Sequence, residues 1–301
     1  MNDSLQTGIA PENRTSTRIT FPGGETYGCG RVLFAAGADP GTAYIICDQT
    51  PVHPESFRWP DQPADTGLIA WGGIERRLIN AYAGLLDQAT GELRLHQAAR
   101  DLGRCQDGWA GVVVHVVTVG ELPAIGTEIE ITVDRQRRQQ LSAVHTAAHL
   151  ASLSLNRALA PFWSNSTEVG DSLGSPDFDR HAITSSQIGL EGSTDVYRIG
   201  KTLRKKGFVF EAARAGLAGV ESEVNAVIAK WLQEPMSVVV EPGHALLDSR
   251  RLWRCALEGR TAEMYCAGTH VGDLGEIADV NVTLAASADE LMMRASVRRA
   301  T

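Results

Sequence analysis

Two short patterns in this 301-residue chain carry metal-ligating side chains. His145-Thr-Ala-Ala-His149 places two imidazoles four residues apart, and Cys266-Ala-Gly-Thr-His270 places a thiol and an imidazole at the same interval. On a helix, residues four apart lie on one face, about one turn from each other, so His145 and His149 can converge on one ion. Three imidazoles and a thiolate suit Zn²⁺, which takes nitrogen and sulfur ligands tetrahedrally. The two pairs together are expected by chance only about 0.02 times in a chain of this composition. A zinc-peptidase mechanism is disfavoured, because Thr146 stands where H-E-x-x-H has its glutamate base. The chemistry that remains is hydrolysis at a metal that acidifies water and polarises a carbonyl. Four protein ligands by themselves describe a closed, structural site. Catalysis therefore requires either a loose ligand, with His270 the candidate, or a fifth position.

These residues need elements to hold them. LSAVHTAAHLASLSLNRAL (141–159) is rich in Ala and Leu and free of Gly and Pro, which predicts a helix. Its histidine stripe also carries Ser142, Ser152 and Asn156, while Leu141, Val144, Ala148, Ala151 and Leu155 lie opposite. Cys266 follows the strand-like TAEMY and precedes a glycine-containing turn. Upstream, RVLFAA, TAYIIC, GLIAW, GVVVHVVTV and EIEITV predict short strands, with one short helix over Arg76–Leu86. The pattern is that of a small antiparallel barrel or sandwich. Downstream, HAITSSQI predicts a strand and residues 210–232 a second helix that ends before Pro235. MSVVVE, RLWRCALE, TAEMYC and DVNVTL predict further strands, so this half is α+β. The expected organisation is a poorly ordered polar lead (1–20), a β domain (21–135) and an α+β zinc domain (136–301).

Composition limits the function classes. Apolar residues make up 43% and charged residues 21%, as in ordinary globular proteins. There is no apolar run of 18 or more residues to span a membrane as a helix, and the first residues lack a secretory pattern. Five scattered cysteines argue against a disulfide framework and fit a reducing, cytoplasmic setting. Cys29, Cys47, Cys105 and Cys255 read as small buried residues. His96, His115, His181 and His244 read as core or surface histidines. The net charge of −8 counts against nucleic acid as a partner. Basic clusters at Arg135–Arg138, Arg198–Lys206, Arg250–Arg254 and Arg294–Arg299 offset this locally. Each is either a solvated face or a phosphate-binding patch, and Arg198 and Lys201 are the candidate phosphate contacts.

HTAAHL (145–150) and CAGTHVGDLGEI (266–277) resemble the two zinc motifs of the alanyl-tRNA synthetase editing domain and its free-standing AlaX-type trans-editing relatives. DQTPVHPESFRWPDQPADTG (48–67) and VESEVNAVI (220–228) are similar to further segments of that family, in the same order. The resemblance covers roughly residues 30–285. It implies a translation-factor-like small β-barrel followed by an α+β zinc-binding editing domain. It also implies zinc-dependent hydrolysis, in trans, of the ester of a mischarged alanine tRNA carrying serine or glycine. By that resemblance His145, His149, Cys266 and His270 are the metal ligands, Thr146 and Gln187 line the amino-acid pocket, and His53, Gln62 and Thr269 contact substrate. The partner implied is an aminoacyl-tRNA, not DNA or a membrane, and monomer and homodimer stay open. The chain departs from the family's Gly-Gly-Gln run at Ser56-Phe57-Arg58-Trp59-Pro60-Asp61-Gln62, and it has Ala267 where the second motif usually has glycine. Two alternatives stand beside this reading: a hydrolase of the same fold acting on another charged tRNA or a small ester or amide, and a non-catalytic zinc module.

Overall fold

The computed structural model describes residues 3–103, 107–164 and 170–300. In chain order the first strands are β1 (Ser4–Gln6), β2 (Arg18–Ile19), β3 (Tyr27–Gly37), β4 (Thr42–Cys47) and β5 (Gln49–Thr50). They are followed by β6 (Gly67–Trp71), β7 (Ile74–Asp87), β8 (Glu92–Arg94), helix α1 (His96–Asp101), β9 (Trp109–Thr118) and β10 (Glu128–Val133). Then come α2 (Arg135–Leu159), α3 (Phe178–Ala182), β11 (Ile183–Ile188), β12 (Gly192–Arg198), α4 (Lys201–Lys205), α5 (Phe210–Ala215) and α6 (Leu217–Trp231). The chain ends with β13 (Val238–Glu241), β14 (Ala245–Leu246), β15 (Leu252–Leu257), β16 (Arg260–Tyr265), β17 (Ile277–Ala286) and β18 (Glu290–Arg299). This is a mixed α+β protein with several antiparallel sheets, the class expected from the sequence. No helix among the described residues is long and apolar enough to cross a membrane.

Two units divide the chain. The first comprises Met1–Arg138, Val240–Arg251 and Ala267–Thr269; the second comprises Gln139–Val239, Leu252–Cys266 and His270–Thr301. In the first, eight strands pair in the order β1-β8-β7-β6-β10-β3-β4-β9, and β7 pairs again with β9. The pairings β7–β6–β10–β3–β4–β9–β7 thus return on themselves. Period-2 alternation is plain in β10, where Ile129, Ile131 and Val133 are buried and Glu128, Glu130 and Thr132 are exposed. The inward side chains join Val32, Ile45, Ile69, Leu78 and Val113 in one apolar cluster. Deep in this unit Arg138 donates from Nε to Asp65 Oδ1 at 2.9 Å and from Nη2 to Asp65 Oδ2.

In the second unit, β11-β12-β18-β17 form an antiparallel sheet, and β15 and β16 form a hairpin. Leu141 and Val144 of α2 pack on Ile188 and Val297 of that sheet, which turns the histidine side of the helix away from it. Helix α6 guards the edge strand β17. Asn225 donates from Nδ2 to Val282 O and accepts from Val282 N, both at 2.8 Å, and Glu221 accepts from Leu284 N at 2.7 Å. An edge strand whose amides are already bonded is a poor template for aggregation.

Several expectations need correction. The segment Arg76–Leu86 is not a helix but the middle of β7, held by β6 on one side and β9 on the other. Pairing on both sides overrides the helical propensity of its Arg, Leu and Ala residues. Within the polar lead, β1 pairs with β8, and β2 pairs with β5 and β14. The helix expected over 210–232 is two helices that meet at Gly216, a residue of low helix propensity. Strand β18 was not anticipated, because its second half reads as the basic cluster Arg294–Arg299. Cys47 and Cys255 are buried but Cys29 is only half-buried, and Cys105 lies outside the described residues.

Candidate metal centre

Helix α2 starts with Asp134, whose carboxylate accepts from Arg137 N at 3.0 Å, and it carries the first histidine pair through its middle. One turn separates His145 from His149, and their rings meet edge to face with centroids 5.0 Å apart. Cys266 follows the last residue of β16, where the backbone leaves the hairpin. Four residues on, His270 brings its ring within 4.5 Å of His145 and 4.6 Å of His149, centroid to centroid. Cys266 Sγ lies 3.4 Å from His145 Nε2 and 3.2 Å from His270 Nε2. One ligand atom from each of the four residues falls within 4.8 Å of every other. Bond lengths of about 2.3 Å to sulfur and 2.0 Å to nitrogen, set tetrahedrally, put such atoms about 3.5 Å apart, so the spacing suits an ion of that size.

The protonation states agree with the donor set. Burial alone would raise the Cys266 thiol, but the His145, His270 and His149 rings hold it well below its ordinary value. Burial drives His270 down to about 3, against the pull of the Cys266 sulfur. A thiolate beside the neutral imidazole of His270 is a ligating combination. His149 Nδ1 is buried without a hydrogen-bond partner, a state that costs roughly 1–3 kcal/mol unless another group satisfies the ring. These residues fit a zinc ion. His145 is buried, while His149, Cys266 and His270 are partly exposed, so one side of the cluster reaches solvent.

Thr146 is fully buried. Its Oγ1 donates to Ser142 O at 2.9 Å and accepts from Val271 N at 3.2 Å, and it lies 3.2 Å from His270 Nδ1. The hydroxyl therefore holds His270. His270 is anchored, which counts against its being the loose ligand. Further along the stripe, Ser152 donates to His149 O and Asn156 donates to Asp171 and Asp177, so protein groups satisfy it there. Trp253, fully buried on β15, sets its edge against His149 at 4.9 Å and 86°. The sequence reading missed it; a Trp opposite Met264 in a hairpin gives no sign of a metal neighbour.

Gln187 is exposed on β11, opposite Thr194, and no hydrogen bond among the described residues joins it to the cluster. In the first unit, Gln62 donates from Nε2 to Thr269 Oγ1 at 2.9 Å and accepts at Oε1 from Thr269 N at 3.1 Å, both side chains buried. His53 is buried there with its backbone N–H on Asp65 and its ring against Phe21 at 5.0 Å. Arg198 and Lys201 are exposed at the end of β12 and the start of α4. Three residues of the basic clusters serve the fold: Arg138 pairs with Asp65, Arg251 stacks over Phe21 and donates to Ala267 O, and Arg254 pairs with Glu263.

A cysteine and three histidines thus gather on a helix and a strand end.

The chain resembles alanine–tRNA ligases.

It is 28% identical over 271 residues to the alanine–tRNA ligase of Granulibacter bethesdensis, covering 85% of this chain and 24% of that protein. With that of Frankia casuarinae it is 27% identical over 297 residues, covering 93% of this chain and 26% of the ligase. With that of Chloroflexus aurantiacus the figures are 28% over 275 residues, 89% and 26%. The chain thus spans about a quarter of the length of the curated relatives it matches. No protein-family model matches it.

Proposed function

We propose that this chain is a metal-dependent hydrolase that cleaves, in trans and in the cytoplasm, the ester joining a wrong amino acid, serine or glycine, to alanine tRNA. The observation that carries the reading is the convergence of His145, His149, Cys266 and His270 in a chain similar to alanine–tRNA ligases. The returning strand pairings of the first unit support a translation-factor-like barrel, and the α+β second unit supports an editing domain.

The four side chains would hold Zn²⁺, which when bound polarises an ester carbonyl and acidifies water. The rest falls to the chain itself. Thr146 keeps His270 Nδ1 protonated, so that Nε2 offers its lone pair on the Cys266 side. Trp253 keeps bulk water from the inner side, while the partly exposed side of His149, Cys266 and His270 admits substrate. His149 lacks a hydrogen bond at Nδ1 and is the ligand freest to shift when an open position is needed. Gln62 braces Thr269, and Arg198 and Lys201 supply exposed cations for phosphates. An ester with a ribose hydroxyl as leaving group needs little acid assistance, so the missing glutamate is tolerable.

The four-ligand set itself favours a second reading, a closed structural zinc. One experiment separates the two. The zinc-loaded chain and its Cys266→Ala variant are incubated with Ser-, Gly- and Ala-charged alanine tRNA. Trans-editing requires loss of the Ser or Gly ester with the parent chain only, and survival of the Ala ester. Retention of zinc with no turnover of any of the three would reject the alanine-tRNA assignment and leave the structural zinc.

A further inference from the structure

A cavity of about 260 Å³ lies wholly within the first unit, walled by the Glu55–Pro60 segment, Tyr82 of β7 and the start of α1. The segment is the one that replaces the Gly-Gly-Gln run with bulky side chains. Its backbone is fixed to β7: Glu55 N donates to Ala81 O and Glu55 O accepts from Ala83 N, both at 2.9 Å. Arg100 spends Nε on Phe57 O at 2.9 Å, which ties α1 to the same segment and leaves the terminal nitrogens of its guanidinium for other partners.

Two features of His96 call for an occupant. Its ring meets Tyr82 edge-on at 4.3 Å, and its Nε2 is buried with no hydrogen-bond partner. Its backbone sits at φ 45°, a region non-glycine residues seldom adopt, and one that folds retain mainly where the placement of a side chain matters. The cavity also carries opposite charges, from Glu55 and Arg100, beside apolar faces from Phe57 and Pro60. At roughly 30 Å³ per water-sized group it holds on the order of nine such groups. That is the bulk of leucine.

We propose that this cavity binds a free α-amino acid as its zwitterion, with the ammonium at Glu55, the carboxylate at Arg100 and the side chain against Phe57 and Pro60. His96 Nε2 donates to the same carboxylate and so gains the partner it lacks. A simple amine or a simple acid satisfies only one of the two charges, so recognition requires both. The site is separate from the metal ligands and stands whether or not the hydrolase reading does.

The test is a calorimetric titration of the full chain with L-leucine, L-methionine and L-glutamine. Isoamylamine, which has no carboxylate, N-acetyl-L-leucine, which has no ammonium, and adenosine serve as comparators. At least one of the three amino acids should saturate a single site, with both single-charge analogues weaker by about tenfold or more. Glu55→Gln and Arg100→Gln should each weaken that amino acid by about tenfold or more, with metal content unchanged. Cys266→Ala should leave amino-acid binding intact, which keeps this result distinct from the fate of the metal centre. The proposal is overturned if none of the three amino acids binds, if isoamylamine binds as tightly, if both charge variants bind like the parent, or if adenosine competes for the site.

Discussion

The hydroxyl of Thr146 has three neighbours and one proton. That proton goes to Ser142 O, so both Val271 N and His270 Nδ1 must donate to the oxygen. The tautomer of His270 follows: hydrogen on Nδ1 and a lone pair on Nε2, the atom 3.2 Å from Cys266 Sγ. Groups that orient a metal-bound imidazole in this way typically matter 10–100-fold in affinity, by a rough rule. Thr146→Val should therefore weaken zinc binding by about that factor in competition with a chelator, with helical circular dichroism retained. An unchanged zinc affinity would remove Thr146 from this role. The ligand types and their spacing were legible in the sequence, because two i,i+4 pairs restrict what four side chains can do together. The role of Thr146 was not legible. It depends on which acceptor takes a single proton, and spacing carries no information about that. The placement of Gln187 was not legible for a related reason: a β-strand residue faces in or out according to register, and on β11 Gln187 is exposed.

Among the elements, β9 shows why short apolar runs were read correctly and β7 why mixed ones were not. GVVVHVVTV is β-branched except at Gly111 and His115, and β9 is buried almost without interruption. RRLINAYAGLL has helix formers at most positions, and only the partners on either side make it a strand. Helices α5 and α6 part at Gly216, a break that periodicity on both sides concealed. Strand β9 also holds a titratable cross-link. His115 Nδ1 donates to Ile45 O at 3.0 Å, its partner across the β4 pairing, and Nε2 accepts from Thr50 at 2.8 Å. Burial pushes this imidazole down to about 4, against the upward pull of the Ile45 bond. An unfolded chain takes up a proton near its ordinary pKa of about 6.5, which the folded chain refuses until about 4. Stability is therefore complete above roughly pH 6.5 and declines as pH falls through that window. The decline attributable to this residue is roughly 2 kcal/mol between about pH 7 and about pH 5. Urea midpoints at the two pH values should show that loss in the parent and a shallower one in His115→Asn. Parallel pH slopes in parent and variant would exclude His115 as the source.

At the scale of the whole molecule, neither unit is one stretch of chain. The first unit borrows Val240–Arg251, from which β14 pairs with β2, Leu247 packs on the apolar cluster and Arg251 stacks over Phe21. A fragment ending at Arg138 lacks all three. It should unfold at lower urea than the full chain, the missing half-buried Leu247 alone being worth on the order of 1 kcal/mol. A fragment as stable as the parent would mean the borrowed segment contributes nothing. The alternation of helical and strand signals along the chain suggested a simple succession of two domains. Which late segments return to the first unit depends on long-range pairing, and local patterns do not record that.

The same interleaving constrains heredity. Within CAGTH, Cys266 and His270 belong to one unit and Ala267–Thr269 to the other. No pair of breakpoints in a gene can lift out either unit whole, as a cassette is lifted from a modular protein. A single cassette that carried this metal centre, from His145 to His270, would therefore carry segments of the β unit with it.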